Sequence, residues 1–212
     1  MTTAVVPFKD LDAAKARLSD RLAKNERRAL VLAMLDDVLG ALSRVPALSG
    51  VLVVTREPEI ARRASRFGAE ILEEPANEGH TAAVERAVRE LERRRLPAML
   101  CVSGDLPAAA PDEFATMLRA LGPPPSVVLV PSRNGQGTNA VLVSPPGGLP
   151  LTFGEPSFSK HVARSRELGL RTDVLELAGL ALDLDTPEDL DLFLQTPSDT
   201  ATYRLLGGHA GR

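Results

Sequence analysis

The sequence of 212 residues contains little cysteine and few aromatic side chains. Its single cysteine, Cys101, excludes an internal disulfide and a cysteine-ligated zinc cluster, and the apolar neighbours of this residue favour core packing over nucleophilic chemistry. Aromatic residues make up only 3% of the chain, which argues against a base-stacking surface for single-stranded nucleic acid. A formal net charge of -3 argues equally against a broad nucleic-acid interface.

Long apolar runs are also missing. No uninterrupted apolar segment is long enough to cross a bilayer, and Lys9 and Asp10 interrupt the first apolar run too early for a signal peptide. We therefore expect a cytoplasmic protein with no membrane partner. A hydrophobic content of 44% suits one domain over residues 1–212, and the polar, glycine-rich end from residue 196 onward is expected to fray.

The chain alternates short apolar runs with amphipathic segments, which predicts an α/β fold with a mostly parallel sheet. Strands are predicted at residues 4–8, 50–55, 69–72, 98–102, 126–131 and 139–143, with a short strand over 182–185. Helices are predicted at residues 25–42, capped by Asn25, and at 58–66, 82–95, 112–121 and 157–168, with another beginning after Thr186. The βαβαβ order of the first half predicts parallel strands joined by right-handed crossovers.

Asp105 follows the apolar run that ends at Ser103 and Gly104. In open α/β sheets the ligand crevice lies beyond the carboxyl ends of the strands, which is where this carboxylate is predicted. An aspartate there suits Mg²⁺ that also carries phosphate oxygens. The alternative is a loop aspartate that caps the following helix.

The loop after the first strand carries Lys9, Lys15 and Arg17 but has neither of the glycine-rich phosphate-binding fingerprints. Any hold on phosphate would therefore come from side-chain cations, with Arg17 offering a planar fork. The alternative is a solvated amphipathic turn. Thr55 ends the second predicted strand and is a further candidate contact for a nucleotide.

Two later loops offer polar groups to a ligand. Just before a predicted helix, four residues could face a base or ribose: Asn77, Gly79, His80 and Thr81. Thr81 could equally be the helix cap, and His80 could equally be an exposed loop histidine. Thr138 ends a glycine-containing loop that could bend around an anion, or could simply form a loose hairpin tip.

A helix start near Ser157, preceded by Gly154, has free N–H groups that favour a carboxylate or phosphate. Lys160 in the first turn opposes the helix dipole, so an anion nearby would explain it, and a solvent-exposed lysine is the alternative. Asp183 and Asp185 alternate with leucines and are predicted on one strand face, where a divalent metal would neutralise them.

The sequence resembles the phospholactate/phosphoenolpyruvate guanylyltransferases of coenzyme F-420 biosynthesis over nearly its whole length. The motifs that carry the resemblance are Pro7-Phe-Lys, Ala14-Lys-Ala-Arg-Leu18, Gly104-Asp-Leu-Pro107, Gly137-Thr-Asn-Ala140, Phe153-Gly through Ser157-Phe with His161, and Leu182-Asp-Leu-Asp-Thr-Pro-Glu-Asp-Leu190. The pattern departs from the family at Gly79-His-Thr-Ala82, Gly104 and Gly135-Gln-Gly-Thr138, where Gly-Leu-Asn-Ala, Ala and a tighter Gly-Gly-Thr are expected.

The resemblance implies a three-layer, Rossmann-like nucleotidyltransferase fold, similar to the glycosyltransferase-A fold. It implies that GTP is joined to phosphoenolpyruvate, 2-phospho-L-lactate or 3-phosphoglycerate, with release of pyrophosphate. Asp105, Asp183 and Asp185 would hold Mg²⁺, with Asp183 the first choice of the last two. Lys15 and Arg17 would contact the GTP phosphates. The acid would be held by Thr138, Gly154 and Ser157.

Two alternatives stay open at this point. One is a related nucleotidyl- or glycosyltransferase with another nucleotide or acceptor, and the other is a nucleotide-binding module without catalysis. The apolar helix faces suit either core packing or a homodimer.

Overall fold

One mixed sheet of seven strands organises the protein, for which a computed structural model describes residues 1–8, 11, 14–76 and 79–207. The strands are β1 (Thr2–Pro7), β2 (Leu48–Thr55), β3 (Glu70–Glu73), β4 (Ala98–Val102), β5 (Ser126–Pro131), β6 (Thr138–Ser144) and β7 (Arg171–Val174). Their spatial order is β3-β2-β1-β4-β6-β5-β7. Only β6 runs antiparallel to its neighbours, β4 and β5, so the predicted mostly parallel sheet is confirmed.

Helices cover both faces of this sheet. They are α1 (Lys24–Ser43), α2 (Pro58–Ser65), α3 (His80–Arg93), α4 (Pro111–Ala120), α5 (Ser157–Glu167), α6 (Ala178–Ala181), α7 (Pro187–Leu194) and α8 (Ala201–Gly207), with 3-10 turns at Ala16–Leu18 and Pro146–Gly148. Alternate residues of β1 enter opposite cores: Ala4 and Val6 join a cluster with α1, α4 and α7, and Val5 joins one with α3. The result is three layers, as predicted.

Three local predictions are wrong. Asn25 does not cap α1: Ala23 occupies that position, and its N–H donates to the Glu26 carboxylate at 2.7 Å. Residues 182–185 do not form a strand, because α6 ends at Ala181 and the next residues run irregularly to α7. Their alternation still has a structural basis, since Leu184 is buried while Asp183 and Asp185 face the opposite way into the site.

Within the tail that is predicted to fray from residue 196 onward, residues 201–207 instead form α8, and this helix packs on α1. Residues 208–212 of that prediction lie outside the described residues. Asp37 of α1 accepts the N–H groups of Ala201 and Thr202 at 2.7 and 2.9 Å, which satisfies the free donors at the start of α8. Thr202 and Leu206 are buried against α1. Strand β7 was not predicted, since residues 171–174 are half-exposed and polar.

Across the described ranges, no helix combines the length and the apolar character that a membrane span requires.

Candidate active site

Lys15 forms the centre of a charged cluster at the carboxyl ends of β1 and β4. Its ammonium group bonds to Asp105 Oδ2 at 2.5 Å and also to Asp185 Oδ1. The backbone of Lys15 adopts φ 57°, ψ 39° just before a 3-10 turn, a left-handed conformation that is uncommon for lysine. Burial alone would lower the pKa of Lys15, but Asp105 and Asp185 together raise it above its ordinary value, so this lysine remains charged.

Asp105 is held from three directions. Ser103 Oγ donates to Asp105 Oδ1 at 2.6 Å, Lys15 occupies the other carboxylate oxygen, and the Leu184 N–H donates to the Asp105 backbone carbonyl at 3.3 Å. Burial opposes ionisation, but Lys15 and Ser103 outweigh it, and the pKa of Asp105 lies below its usual value. The contact with Leu184 also joins the loop after β4 to the segment that carries Asp183 and Asp185.

Asp183 completes what we call the carboxylate–lysine cluster, which consists of Lys15, Asp105, Asp183 and Asp185. Among the described side chains none forms an ion pair with Asp183, whose Oδ1 instead accepts a hydrogen bond from Asn139 Nδ2 at 3.1 Å. Burial and the neighbouring charges of Asp105 and Asp185 raise its pKa. Among the described residues, the cluster therefore holds three carboxylates and one ammonium group, which pairs with Asp105 and Asp185 but not with Asp183. This balance favours an additional cation.

The predicted magnesium ligands meet around Lys15. Within residues 1–8, 11, 14–76 and 79–207, no group of three or more acidic, histidine or cysteine side chains is already arranged to hold a metal ion. The donor type still fits Mg²⁺, because carboxylate oxygens are the ligands this ion prefers and no side chain of the described ranges forms an ion pair with Asp183. The magnesium site therefore stays a prediction.

Arg17 lies beside this cluster. It lines a cavity of about 100 Å³ together with Asp183, Asp185 and Arg133. Arg133 donates to Asp189 at 2.8 Å, and Asp189 accepts the N–H of Thr186 at the start of α7. Unlike Arg133, Arg17 makes no ion pair within the described residues, so its guanidinium group is available to an anion.

A second group, the hydroxyl–imidazole cluster, consists of Thr138, Ser157 and His161. Ser157 Oγ donates to Thr138 Oγ1 at 3.3 Å, and His161 Nδ1 lies 2.9 Å from the same oxygen. All three side chains are buried. Burial, aided by the charge of Lys160, lowers the pKa of His161 to about 4, so the ring is neutral at pH 7.

Strand β6 connects the two clusters. Thr138 belongs to the hydroxyl–imidazole cluster, and the next residue, Asn139, reaches Asp183 and also donates to the carbonyls of Leu180 and Ala181. Gly154, with φ +97°, precedes α5 and brings the chain to Ser157. A charged cluster and a neutral one thus lie at the same edge of the sheet, where the crevice of an α/β fold is expected.

Other predicted contacts are placed less directly. Lys9 and Asn77 lie outside the described residues. Gly79 stands at the N-cap of α3 with φ 99°. Thr55 Oγ1 accepts the N–H of Glu57 at 3.0 Å, a local turn contact, and the Thr55 side chain is buried. Thr55 as a nucleotide contact therefore stays a prediction that this geometry does not favour.

Sequence reasoning gave no role to four residues that shape the site: Ser103, Arg133, Asn139 and His161. Asn139 and His161 stand inside the motifs on which the resemblance was based, so a signal for them existed. Ser103 precedes Asp105 by two residues, a spacing at which a hydroxyl can reach a carboxylate. Arg133 had no distinguishing signal, because it pairs with Asp189, which lies 56 positions away.

The chain is similar to named proteins over most of its length. A family model described as "Guanylyl transferase CofC like" matches residues 2–208. The chain is 40% identical over 191 residues to a phosphoenolpyruvate guanylyltransferase of Conexibacter woesei, covering 90% of this chain and 86% of that protein. It is 41% identical over 193 residues to the Sphaerobacter thermophilus enzyme of the same name, covering 90% and 91%. A 3-phospho-D-glycerate guanylyltransferase of Colwellia psychrerythraea is 35% identical, with 90% of each chain covered.

Solved structures share the fold. A protein from Desulfovibrio desulfuricans G20 superposes with a TM-score of 0.78 at 14% identity, covering 99% of this chain and 95% of that one. A nucleotidyl transferase from Methanothermobacter thermautotroptrophicus gives a TM-score of 0.67 at 17% identity, covering 93% and 99%. These likenesses confirm the predicted three-layer α/β fold.

Proposed function

Since this chain belongs to the family of CofC-like guanylyl transferases, we propose that it joins the guanylyl group of GTP to phosphoenolpyruvate and releases pyrophosphate. The observation that supports this most strongly is the juxtaposition of the two clusters. The carboxylate–lysine cluster suits a triphosphate with its counter-cation, and the hydroxyl–imidazole cluster suits a small acid.

The reaction needs placement more than proton transfer. An ionised oxygen of the phosphate of the acid attacks the α-phosphorus of GTP, the bond between this phosphorus and the bridging oxygen to the β-phosphate breaks, and pyrophosphate leaves. The nucleophile already carries negative charge, so no general base has to remove a proton. The protein then contributes mainly orientation and charge stabilisation.

Lys15 and Arg17 would bind the triphosphate. Lys15 is held in position by Asp105 and Asp185, and Arg17 opens onto the adjoining cavity. On the other side, Thr138 would bind the acid with its hydroxyl group. Ser157, whose own hydroxyl donates to Thr138, would bind the acid with the backbone N–H that begins α5, and Gly154 would leave room beside this helix start.

The family resemblance also implies Mg²⁺, and the residues fit it in chemical type. Asp105, Asp183 and Asp185 would hold the ion, which when bound would offset negative charge on the triphosphate. Lys15 already neutralises two of these carboxylates, so the lysine and the metal would share the cluster.

Phosphoenolpyruvate is our choice among the three acids because relatives of that name are 40% and 41% identical to this chain, while the 3-phosphoglycerate enzyme is 35% identical. The product would be a guanosine diphosphate adduct of the acid, which suits a role in coenzyme F-420 biosynthesis. A cytoplasmic location and a homodimer remain expectations of the proposal.

The experiment is a panel of nucleotides and acids. The protein is incubated with Mg²⁺, with GTP, ATP or CTP, and with phosphoenolpyruvate, 2-phospho-L-lactate or 3-phosphoglycerate, and pyrophosphate is measured. We expect release with GTP and the highest kcat/KM for phosphoenolpyruvate. Asp105→Asn should lose this release, and its matched control is Asp112→Asn, the same change at an exposed position on α4. A folded protein that is silent with GTP and all three acids would overturn the proposal.

A further inference from the structure

His161 is a buried imidazole whose two ring nitrogens are both hydrogen-bonded. The side chain is 1% exposed. Its Nε2 accepts the backbone N–H of Thr152 at 3.0 Å, and its Nδ1 lies 2.9 Å from Thr138 Oγ1. The ring therefore connects the loop before α5 to the end of β6.

The contact with Thr152 determines which ring nitrogen carries the proton. A backbone N–H can only donate, so Nε2 must present its lone pair. In a neutral imidazole the proton then sits on Nδ1, and Nδ1–H donates to Thr138 Oγ1. Protonation of both nitrogens would break the bond to Thr152, so the neutral form is the one this geometry accommodates.

The direction of the bonds at Thr138 follows from this tautomer. A hydroxyl oxygen has two lone pairs and one proton. Thr138 Oγ1 accepts from His161 Nδ1–H and from the Ser157 hydroxyl, which uses both lone pairs. The remaining group is the proton of Thr138, and it can only donate. An atom that faces this hydroxyl must therefore be an acceptor, and an ionised oxygen suits it best.

We propose that His161 is a positioning residue that turns the Thr138 hydroxyl into an obligate donor to an ionised oxygen of the acid substrate. This inference rests on the proposed function, because it takes Thr138 as part of the acid site. It explains why a buried histidine stands beside two hydroxyl groups without any part in the bond-making step.

The surroundings of His161 keep the ring in one orientation. Phe153 meets it edge-to-face, with centroids 5.6 Å apart and an interplanar angle of 72°. Phe153 is itself in contact with His80, at 4.4 Å between centroids, and its N–H donates to Thr81 at 3.2 Å. The imidazole is thus fixed by α3 through Phe153, and also by its own helix and the Thr152 backbone.

The first test reads the tautomer directly in the ligand-free protein. Long-range ¹⁵N–¹H correlation NMR distinguishes a protonated Nδ1 from a protonated Nε2. The chain has three histidines, and the spectrum of His161→Asn identifies the signal that belongs to His161. We expect the proton on Nδ1, and a proton on Nε2 would overturn the proposal.

The second test separates the hydrogen bond from the packing. Asparagine and leucine have nearly the same shape, but only asparagine keeps a donor where Nδ1 stands. His161→Leu should raise the KM for phosphoenolpyruvate about tenfold, as loss of a hydrogen bond to a charged group predicts, and change the KM for GTP less than about twofold. His161→Asn should recover most of that loss.

Thr138→Val, together with the double variant Thr138→Val/His161→Leu, completes a double-mutant cycle that measures binding of the acid. If His161 acts through Thr138, the double variant should bind the acid no more weakly than Thr138→Val alone. Additive losses, or equal effects of Asn and Leu at position 161, would contradict the proposal.

Calorimetric titration with phosphoenolpyruvate keeps the two proposals distinguishable. If the affinity for phosphoenolpyruvate falls in His161→Leu and recovers in His161→Asn, but no turnover occurs, the proposed function is overturned and the role of His161 stays intact. Turnover with unchanged affinities in the His161 variants would do the reverse. A wild-type protein that binds no acid would overturn both.

Discussion

The two clusters at the edge of the sheet differ in how they handle charge. In the carboxylate–lysine cluster, the Lys15 ammonium group bridges two of the three aspartates, and the pKa values of Lys15 and Asp105 are shifted so that both stay ionised. In the hydroxyl–imidazole cluster, the pKa of His161 is lowered and every hydrogen-bonding group is neutral. The two are linked by neighbouring residues of β6.

This difference suggests that the two clusters have separate roles in binding and catalysis. A surplus of negative charge needs cations, and a nucleoside triphosphate arrives with them. A small ionised acid is better served by neutral donors, because these bind it without cancelling the charge on its attacking oxygen. Loss of the charged cluster should therefore lower kcat, and loss of the neutral one should weaken binding of the acid.

The largest effect is expected from Asp105→Asn. This change keeps the shape of the side chain and removes its charge, so kcat/KM should fall at least about a thousandfold, as for other groups that stabilise charge in a transition state. Pyrophosphate release measures it, with Asp112→Asn as the matched control. Comparable activity in Asp105→Asn and Asp112→Asn would contradict the separate roles of the two clusters.

Lys15→Met should destabilise the fold and change its response to Mg²⁺. The variant leaves Asp105 and Asp185 without their common cation. We expect the free energy of unfolding to fall by about 2 kcal/mol, less than for a fully buried pair because Asp185 is half-exposed. Added MgCl₂ should raise the melting temperature of the variant more than that of the wild type, with NaCl of equal ionic strength as control. Equal shifts of the melting temperature in the variant and the wild type would contradict the proposal that Lys15 and Mg²⁺ share the cluster.

The hydroxyl–imidazole cluster should make stability depend on pH. The pKa of His161 is about 4 in the fold against 6.5 in the unfolded chain, so the unfolded chain binds more protons between these values and acid favours unfolding. Lys160 is the charged neighbour that adds to the effect of burial. From pH 7 to pH 5.5 the contribution of His161 should cost about 1 kcal/mol. Urea unfolding of wild type and His161→Asn at the two pH values measures this cost. An equal loss of stability in both proteins would contradict its assignment to His161.

A region outside both clusters provides a control for stability without function. Asp37→Ala removes the acceptor for the first N–H groups of α8 and should lower the free energy of unfolding by about 1 kcal/mol. The KM values for GTP and acid should stay unchanged, because Asp37 lies on α1 away from the site. Altered kinetics would show that α8 is coupled to the clusters.

The smallest effect is expected from Gly104→Ala, which introduces the alanine that the family resemblance leads us to expect at this position. An added Cβ would lie 3.4 Å from Phe8 and 3.5 Å from Val6, both ordinary contacts, so the side of this glycine that would carry a Cβ points into the core. We expect the free energy of unfolding to change by less than about 0.5 kcal/mol, in the stabilising direction. A large loss of activity in this variant would instead mean that a ligand packs against this position.

The fold was predictable because its strong signals are local. Strands β1, β2 and β4 and helix α3 are marked by apolar runs or by periodicity, and each was predicted to within a few residues. The failures have long-range causes. Helix α8 is fixed by Asp37, which lies 164 positions away from Ala201. Residues 182–185 alternate like a strand, but Asn139 holds the two carbonyls just before them, and they run irregularly to α7.

The site was predictable in its members and not in its bonding. Asp105 is predicted from its place after an apolar run, Asp183 and Asp185 from their alternation with leucines, and Lys15 from its place in a cationic loop. No pattern indicated that Lys15 would bridge Asp105 and Asp185, because those residues lie 90 and 170 positions away along the chain. The tautomer of His161 depends on a single backbone N–H, which sequence periodicity does not encode.

The most direct test of the central claim follows the oxygen atoms. Phosphoenolpyruvate labelled with ¹⁸O in its phosphate group is incubated with GTP, Mg²⁺ and the protein. The ¹⁸O content of the guanosine diphosphate adduct and of pyrophosphate is then measured by mass spectrometry. If an oxygen of the acid phosphate attacks the α-phosphorus, all the label stays in the guanosine diphosphate adduct and pyrophosphate is unlabelled. Label in pyrophosphate, or labelled phosphate transferred onto a guanosine di- or triphosphate, would contradict the account.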